Sequence, residues 1–350
     1  MIRMGRSKTG TSALLAYPGF GYPTAGGQCR IYLSGVVWQE PVVFNLRQRM
    51  MIRMLAGVMK ATTEELQSQP FQDRIAPFMA EADGRQPIIV ELAGRTHRLE
   101  KKTRKNGHFR DFVSLSNAEV ESAAEVDEFG NRTLPYRLAV ADSQGAPTTG
   151  LIYLLDRRGT SVISDIDDTI KDSAVGDRQQ LLSNTFLRDF RSVAGMADVY
   201  RHWSDQGASF HYVSSSPWQL FISLLAMNVE HRFPAGTMHL RNFRLRDQLL
   251  RKVILRRQGK ATTIRFLLNN LPERNFVLVG DSGEKDPEIY RKICLKYPTR
   301  IKAMLIREVP NRPLEGERLR RLTDALPANL FGKFTDAAEL QDLAKRMFEN

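Results

Sequence analysis

The sequence contains little cysteine, and this scarcity excludes several classes of protein. Cys29 and Cys294 are the two cysteines among 350 residues, and they lie far apart in the chain. They cannot form the disulfide framework of a small secreted domain, and they are too few for a zinc site built from cysteines. We therefore expect a protein of a reducing compartment, the cytoplasm.

Long apolar runs are missing as well. No stretch approaches the roughly 18 consecutive apolar residues that a membrane-spanning helix needs. The basic N-terminus is not followed by the apolar segment of a secretory signal. With 42% hydrophobic and 26% charged residues and no internal repeat, the composition predicts a globular protein.

Acidic residues are few in two segments, which carry most of the positive charge. Residues 1–60 and residues 241–260 each have a net charge of +7, whereas the whole chain has +12. Such patches favour an anionic partner, either nucleic acid or an acidic membrane, although general solubility is the alternative explanation. Residues 44–60 also predict a basic amphipathic helix with a methionine-rich face, which either packs on a domain or lies on a lipid surface.

The hydrophobic pattern divides the chain into three regions. Residues 1–60 are expected to form a basic extension with a flexible lead, one strand and the amphipathic helix. Residues 61–155 contain short apolar runs between turns, which predict a small β-sandwich-like domain. Residues 156–350 alternate strands with helices, which predicts an α/β domain with a parallel sheet. The strands expected in this sheet are 160–164, 210–214, 238–243, 276–280 and 301–306.

The clearest chemical signal follows the first strand of the α/β domain. An apolar run leads directly into Asp165, Asp167 and Asp168. Carboxylates so close together repel one another unless they share a cation, and their oxygens suit Mg²⁺. Asp165 can then attack phosphorus as a nucleophile, while Asp167 can protonate the leaving alkoxide and later activate water. The alternative is a loop of solvated acids that caps a helix.

Further polar residues stand next to the other predicted strands and helices. Ser214 follows the second strand and can bind a phosphoryl oxygen, although a serine near a proline is also an ordinary helix cap. Lys260 precedes a predicted helix and can neutralise the nucleophile and the phosphate. Asp281 is expected to bind the metal and Asp286 to assist there, unless their loop only caps a helix. Parallel strands end at one edge of a sheet, so we expect these residues to converge there.

The order and spacing of these segments resemble the haloacid dehalogenase superfamily of phosphotransferases over about residues 160–310. The segments 164–171, 195–200, 212–220 and 280–290 look more closely like the actin-patch-protein type of phosphatidate phosphatase, a family with bacterial members. This resemblance implies a Rossmann-like haloacid dehalogenase catalytic domain. Its first motif, Asp-x-Asp-x-Thr, falls on Asp165, Asp167 and Thr169.

The resemblance also implies roles for individual residues. The expected catalytic residues are the nucleophile Asp165, the general acid and base Asp167, the phosphate-binding Ser214 and the stabilising cation Lys260. The residues expected to hold Mg²⁺ are Asp165, the backbone carbonyl of Asp167, Asp281 and Asp286. The residues expected to contact the substrate are Thr169, Lys171 and Ser215.

Together, the motifs and the resemblance predict an Mg²⁺-dependent phosphatase that forms an aspartyl-phosphate and hydrolyses phosphatidic acid at an anionic membrane surface. Nucleic acid is not the expected partner, and the sequence does not indicate the oligomeric state. The alternatives are a phosphatase of another phosphomonoester and a non-catalytic module that binds anionic lipid or nucleic acid. The cations expected to hold the bilayer near the site are Arg241, Arg244, Arg246, Arg251, Lys252, Arg256 and Arg257.

Overall fold

A computed structural model describes residues 12–39, 46–141, 143, 145–173, 178–242, 259–310 and 312–348. These residues fall into two compact units: the first comprises those of 1–54 and 75–157, and the second those of 55–74, 158–243 and 250–350. Part of the predicted basic patch lies outside the described residues, namely Arg244, Arg246, Arg251, Lys252, Arg256 and Arg257.

The secondary structure is rich in both strands and helices. Within the described residues, the strands are β1 (Ser12–Pro23), β2 (Gln28–Gln39), β3 (Glu81–Ala82), β4 (Ile88–Leu92), β5 (Arg95–Arg98), β6 (His108–Ser116), β7 (Glu125–Val126), β8 (Arg132–Val140), β9 (Thr148–Leu154), β10 (Gly159–Ser164), β11 (Ser209–Pro217), β12 (Gly236–Arg241), β13 (Arg274–Asp281), β14 (Ile301–Arg307) and β15 (Phe331–Phe334). The helices there are α1 (Leu46–Met59), α2 (Thr63–Gln67), α3 (Gln69–Met79), α4 (Asn117–Ala123), α5 (Arg178–Phe186), α6 (Met196–Asp205), α7 (Phe221–Glu230), α8 (Gly259–Asn270), α9 (Asp286–Lys296), α10 (Gly316–Thr323) and α11 (Ala337–Phe348). None of these described helices is both long enough and apolar enough to span a bilayer.

The second unit is built on a sheet whose described strands lie in the order β12-β11-β10-β13-β14-β15. Every neighbouring pair is parallel. The strands β13 and β14 consist mainly of buried apolar residues, and the last four residues of β10 are buried, as expected for strands covered on both faces. The predicted α/β class with a parallel sheet is therefore confirmed.

The central strands β10 and β13 lie side by side, and this pairing determines where the polar residues meet. In their register Ser164 is opposite Val279. The next residue, Asp165, continues the ladder because its backbone N–H donates to the Val279 carbonyl at 2.9 Å. The strand β13 ends at Asp281. Both acids therefore lie at the carboxyl edge of the sheet.

The first unit contains a second sheet, as expected for a β-rich part before the α/β domain, but this sheet also includes β1 and β2, which lie in the predicted extension. Its described strands follow the order β3-β2-β1-β9-β8-β4-β5, with β6 paired to β2 and β7 to β8. All these pairs are antiparallel except β1 with β9. Side chains of β2 and β6, near one end of this order, and of β4, near the other end, share one buried apolar cluster, so the sheet curls around a single core.

The predicted flexible lead is wrong for residues 12–23, which form β1. This strand lies between two neighbours, β2 and β9. A shift of register between Tyr17 and Phe20 accommodates Pro18, which has no N–H to give to a regular ladder. Pairing on both sides therefore outweighs the local preference of proline and glycine for a turn.

The amphipathic helix predicted over residues 44–60 is present as α1. Leu55 and Met59, on its predicted apolar face, are buried. Met50, on the same face, is 56% exposed. The C-terminal half of this face therefore packs on the protein, as the packing alternative requires.

Candidate active site

Polar side chains from several elements of the second unit meet at the carboxyl edge of its sheet. Asp165 follows β10, Ser214 lies in β11 and Asp281 ends β13. Lys260 is in the first turn of α8. All four side chains are buried, although each carries a polar or charged group. Buried groups of this kind need specific partners, and these partners define the site.

Lys260 lies among carboxylates. Its Nζ is 2.9 Å from Asp165 Oδ1, 2.5 Å from Asp286 Oδ1 and 3.7 Å from Glu284 Oε2. Burial lowers the pKa of Lys260, but the carboxylates of Asp165 and Asp286 outweigh burial and raise this pKa well above its usual value. The ammonium group therefore stays charged beside the expected nucleophile.

Asp165, Asp281 and Asp286 form an acidic triad that can hold a metal ion. One carboxylate oxygen from each residue lies within 4.8 Å of the other two. The Oδ2 atom of each residue is buried and has no hydrogen-bond partner among the described residues. Unpaired buried carboxylate oxygens are costly, and a divalent cation bound to oxygen ligands would satisfy them. The triad therefore fits the predicted metal.

The same arrangement makes the acids of the triad hard to ionise without a cation. Burial raises the pKa of Asp165 well above its usual value; Lys260 opposes the rise, while Asp286 and Asp281 add to it. Burial, followed by the charge of Asp286, raises the pKa of Asp281 to about 7. Burial likewise raises the pKa of Asp286, against the effect of Lys260. The protein supplies one ammonium group to three buried carboxylates, so positive charge is in deficit here.

Asp167 has the opposite environment. Its Oδ1 accepts hydrogen bonds from Lys171 Nζ and Ser173 Oγ, each at 2.7 Å. Its Oδ2 accepts from Ser216 Oγ at 2.6 Å and from Ser214 Oγ at 3.2 Å. Burial raises the pKa of Asp167, but the Lys171 ammonium and the hydroxyl donors outweigh burial, so the pKa lies below its usual value. Asp167 is therefore held as a carboxylate.

A strained turn separates Asp167 from the rest of the loop. Asp168 has a φ of 54°, in the left-handed region that aspartate tolerates better than most residues. Its Oδ1 accepts from the Ser173 N–H at 2.8 Å, and its carbonyl accepts from Arg307 Nη1, also at 2.8 Å. Its N–H donates to the Lys171 carbonyl at 2.7 Å. The third aspartate of the motif therefore shapes the loop that presents Asp167.

The three residues expected to contact the substrate have different surroundings. Lys171 is bonded to Asp167, as described above. Ser215 Oγ donates to Glu284 Oε2 at 3.3 Å. Thr169 is fully buried, and its hydroxyl has no hydrogen-bond partner among the described residues. A contact of these three residues with substrate stays a prediction.

Sequence reasoning missed Ser216, Ser173 and Glu284, although all three contact the predicted residues. Ser216 could have been found, because residues two apart in a strand share a face and Ser214 was already selected. The hydroxyl of Ser173 is held by a loop rather than by regular structure, and no sequence period indicates its position. Glu284 approaches Lys260 only through the fold of the β13–α9 loop.

An aromatic ring also contacts Lys171. Lys171 Nζ lies 4.8 Å from the centroid of the Phe190 ring, and the guanidinium carbon of Arg74 lies 4.0 Å from the same centroid. Arg74 also donates to the carbonyls of Thr185 and Arg188, at the end of α5. Arg74 thereby fixes the segment that carries the ring under Lys171.

Arg241 is the member of the predicted basic patch that lies within the described residues. It ends β12, opposite Pro217 of β11. Burial lowers the pKa of Arg241, and the charge of Glu284 partly opposes this effect. Arg241 therefore lies at the same edge of the sheet as the acidic triad, and the charge of Glu284 affects its pKa.

Comparisons with known proteins concern the segment that builds this site. A family model described as "Phosphatidate phosphatase APP1, catalytic domain" matches residues 160–308. Phosphatidate phosphatase APP1 of Saccharomyces cerevisiae is 37% identical over 154 residues, which cover 43% of this chain and 26% of that protein. An uncharacterized protein of Schizosaccharomyces pombe is 34% identical over 163 residues, 45% of this chain and 26% of that protein. The chain thus spans about a quarter of the length of these curated relatives.

Two solved structures are more distant. An uncharacterized protein from Listeria monocytogenes serotype 4b has 15% identity and a TM-score of 0.37, covering 55% of this chain and 99% of that one. A putative beta-phosphoglucomutase from Thermotoga maritima has 12% identity and a TM-score of 0.33, covering 54% of this chain and 100% of that one. The family model falls on the segment that carries Asp165, Lys260 and Asp281. Residues 160–308 are therefore similar to the catalytic domain of the phosphatidate phosphatase APP1 family.

Proposed function

We propose that this protein is an Mg²⁺-dependent phosphatase that converts phosphatidic acid into diacylglycerol and inorganic phosphate. The observation that carries the proposal is the buried contact of Lys260 with Asp165 inside the acidic triad. A protein that only binds lipid has no use for a nucleophilic carboxylate paired with a cation and flanked by metal ligands. The same geometry in a segment of a phosphatase family favours catalysis over the non-catalytic alternative.

Mg²⁺ would be held by Asp165, Asp281 and Asp286, together with the backbone carbonyl of Asp167 that the family resemblance implies. When bound, the ion would supply the positive charge that the triad lacks and shield the phosphoryl oxygens from the Asp165 carboxylate. Lys260 contributes a second cation, which is already bonded to the nucleophile. Positive charge from both sources would allow an anion to approach a buried carboxylate.

In the first step, Asp165 attacks phosphorus. An Asp165–phosphorus bond forms while the bond from phosphorus to the glycerol oxygen breaks, and the leaving alkoxide takes a proton from Asp167. Asp167 must be protonated for this role. The phosphate dianion of the substrate favours protonation, because a neighbouring negative charge raises the pKa of a carboxyl group.

In the second step, water replaces Asp165 on phosphorus. Asp167, now a carboxylate, takes the proton of the attacking water, and the Asp165–phosphorus bond breaks to release inorganic phosphate. The donors around Asp167 support this step, since Lys171, Ser173 and Ser216 stabilise the carboxylate form. The hydroxyl of Ser214 lies beside Asp167, where it can turn towards a phosphoryl oxygen.

The choice of phosphatidic acid rests on the name of the yeast relative and of the family. A charged lipid would be reached from the membrane surface, so we also propose a cytoplasmic protein that binds membranes peripherally. The cations of residues 241–257 support such binding, although most lie outside the described residues. A phosphatase of another phosphomonoester is the competing assignment, and substrate comparison separates the two.

The direct test measures phosphate release by the purified full chain. Vesicles containing phosphatidic acid are compared with soluble sugar phosphates, nucleotides and phosphopeptides, with Mg²⁺ or with a chelator. We expect Mg²⁺-dependent release from phosphatidic acid, none after Asp165→Asn, and wild-type release after Asp172→Asn, since Asp172 is an exposed acid of the same loop. Preference for a soluble phosphate would refute the lipid assignment, and release that survives Asp165→Asn would refute the nucleophile.

A further inference from the structure

The first unit carries a third basic segment, in addition to residues 1–60 and 241–260. Residues 95–110 contain seven lysines and arginines and one acid, Glu100, for a net charge of +6. Every one of these cations is exposed. They are concentrated in residues 101–110, here called the basic loop, which contains no acid. The cations of the basic loop are Lys101, Lys102, Arg104, Lys105 and Arg110.

The backbone of the basic loop is held in place by its neighbours. Thr103 is buried, and its N–H donates to the Gln86 carbonyl at 2.8 Å. Its hydroxyl donates to the Asp83 carbonyl at 3.0 Å and accepts from the Gln86 N–H at 2.8 Å. The Gly107 N–H then closes a turn on the Arg104 carbonyl at 2.8 Å. Because Thr103 is anchored, the charged side chains on both sides of it are presented outward.

Few carboxylates neutralise these charges. Lys101 Nζ lies 3.9 Å from Asp111 Oδ1, the long limit of an ion pair. Among the described residues, no carboxylate forms an ion pair with Lys102, Arg104 or Lys105. The positive charge of the loop is therefore available to an outside partner.

The positive surface extends from the loop onto the neighbouring strands. Arg110 and Phe112 lie two residues apart in β6, so their side chains share one face of the sheet. Arg30 stacks on Phe112 with its guanidinium carbon 4.1 Å from the ring centroid. Tyr32 and Phe112 face each other across β2 and β6. Arg30 and Arg110 therefore lie beside one aromatic pair.

We propose that the basic loop, residues 101–110, docks the protein on the surface of an anionic lipid bilayer. This inference rests on the proposed function, because a membrane substrate requires the protein to stay at a charged surface. Exposed lysines on a fixed backbone suit a diffuse sheet of negative charge, to which each cation adds attraction within a Debye length. Single-stranded nucleic acid would require exposed aromatic platforms for its bases, whereas Phe109 of the basic loop and the neighbouring Tyr32 are buried.

A binding assay without substrate tests this proposal. The full chain is sedimented with vesicles of phosphatidylcholine alone or of phosphatidylcholine mixed with phosphatidylglycerol, at low and high salt. The variant Lys102→Glu/Arg104→Glu/Lys105→Glu is compared with the control Lys292→Glu/Lys296→Glu/Lys302→Glu. The control reverses three exposed lysines of the second unit and changes the net charge equally. Circular dichroism and thermal unfolding check that each variant folds.

We expect the wild type and the control variant to bind the anionic vesicles at low salt and to dissociate at high salt. The loop variant should bind at least about 100-fold more weakly, since each cation contributes roughly a fivefold factor near an anionic surface. Should the Glu variant fail to fold, Lys102→Gln/Arg104→Gln/Lys105→Gln replaces it, with an expected loss of about 100-fold from three removed cations. Equal binding by the loop and control variants would overturn the proposal.

Two further readouts separate the possible explanations. Because phosphatidylglycerol is not a phosphomonoester, vesicle binding is measured independently of hydrolysis, and the docking proposal can stand even if phosphatase activity is absent.

Lysines near edge strands can instead serve only to prevent aggregation. Loop variants that aggregate while folded but bind vesicles as the wild type does would favour that role and overturn docking. Tighter binding of a single-stranded oligonucleotide than of vesicles, lost in the loop variant, would also overturn it.

Discussion

The acidic triad and Asp167 are neighbouring parts of one site, yet their carboxylates differ in their hydrogen-bond partners and in the direction of their pKa shifts. Every Oδ2 in the triad is buried without a hydrogen-bond partner among the described residues, and the pKa of each triad acid is raised by burial. Asp167 has a donor at both oxygens, and its pKa is lowered despite burial. Burial alone therefore does not decide the state of a carboxylate; the supply of donors does.

This contrast indicates that a further cation is needed at the acidic triad and not at Asp167. Asp167 needs nothing further, because Lys171 and three hydroxyls already satisfy it. The triad has one lysine for three acids, which leaves room for a divalent cation. Changes to the triad should thus affect metal dependence, whereas changes around Asp167 should affect turnover without affecting the metal.

The largest effect is expected from Asp281→Asn. The amide keeps the oxygen that accepts from the Gly283 and Glu284 N–H groups, at 2.6 and 2.9 Å, so the loop should keep its fold. The negative charge of the second oxygen is lost, and with it a metal ligand. We expect phosphate release to fall by about 1,000-fold, because the charge of a catalytic metal is worth several kcal/mol. Activity close to that of wild type would show that the triad is not a metal site.

The next largest effect is expected from Lys171→Met on the other side of the comparison. Asp167 would lose its ammonium partner and with it the stabilisation of its carboxylate form. General acid and base catalysis typically contributes a factor of about 100 or more, so we expect kcat to fall by about 100-fold. Lys171→Arg should restore part of the rate. Lys333→Met, which removes an ion pair with Glu308 elsewhere in the sheet, should leave kcat unchanged.

Gly280→Ala tests how closely the triad is packed. A Cβ atom at Gly280 would lie 2.6 Å from Asp286 Oδ2 and 2.8 Å from a ring carbon of Tyr290, so Asp286 must move. We expect about a tenfold loss of phosphate release and a loss of about 1–3 kcal/mol in the free energy of unfolding, measured by urea denaturation. The control is Gly57→Ala in α1, where the space is open and the helix should gain about 0.5–1 kcal/mol. Unchanged activity of Gly280→Ala would mean that Asp286 does not need its present position.

The smallest effect is expected from Phe190→Leu. The ring contacts Lys171 and Arg74, so its removal should loosen the lysine that holds Asp167. A cation–π contact is worth roughly 0.5–2 kcal/mol, and we expect about a threefold loss of kcat with an unchanged KM. Phe186→Leu removes a comparable buried ring that packs near Phe71 and should affect stability but not kcat. Equal kcat losses in both variants would assign the effect to packing alone.

Of the strands in the parallel sheet, the sequence predicted β10 to β14, including the edge strand β12, but not the edge strand β15. The strands β13 and β14 contain continuous apolar runs, and such runs are recognised without tertiary information. The strand β15 is four residues long and includes an exposed lysine, Lys333, so nothing local distinguishes it from a loop. The strand β1 contains prolines and glycines and is stabilised by its two partners, which only the tertiary structure supplies.

The same limit applies to the site. Asp165, Lys260 and Asp281 were selected because each stands next to a predicted strand or helix, and the structure brings Asp165 and Asp281 into one triad with Asp286 beside Lys260. Which donors surround Asp167 could not be predicted, because Lys171 and Ser173 reach it through a turn that depends on Asp168.

Calorimetric titration of Mg²⁺ into the substrate-free protein tests the contrast between the two sides most directly. We predict that the wild type and Lys171→Met bind one ion per chain with similar affinity, while Asp281→Asn binds it at least about tenfold more weakly. A wild-type protein that binds no Mg²⁺, or a Lys171→Met variant that loses the ion as Asp281→Asn does, would contradict the assignment of the metal to the acidic triad.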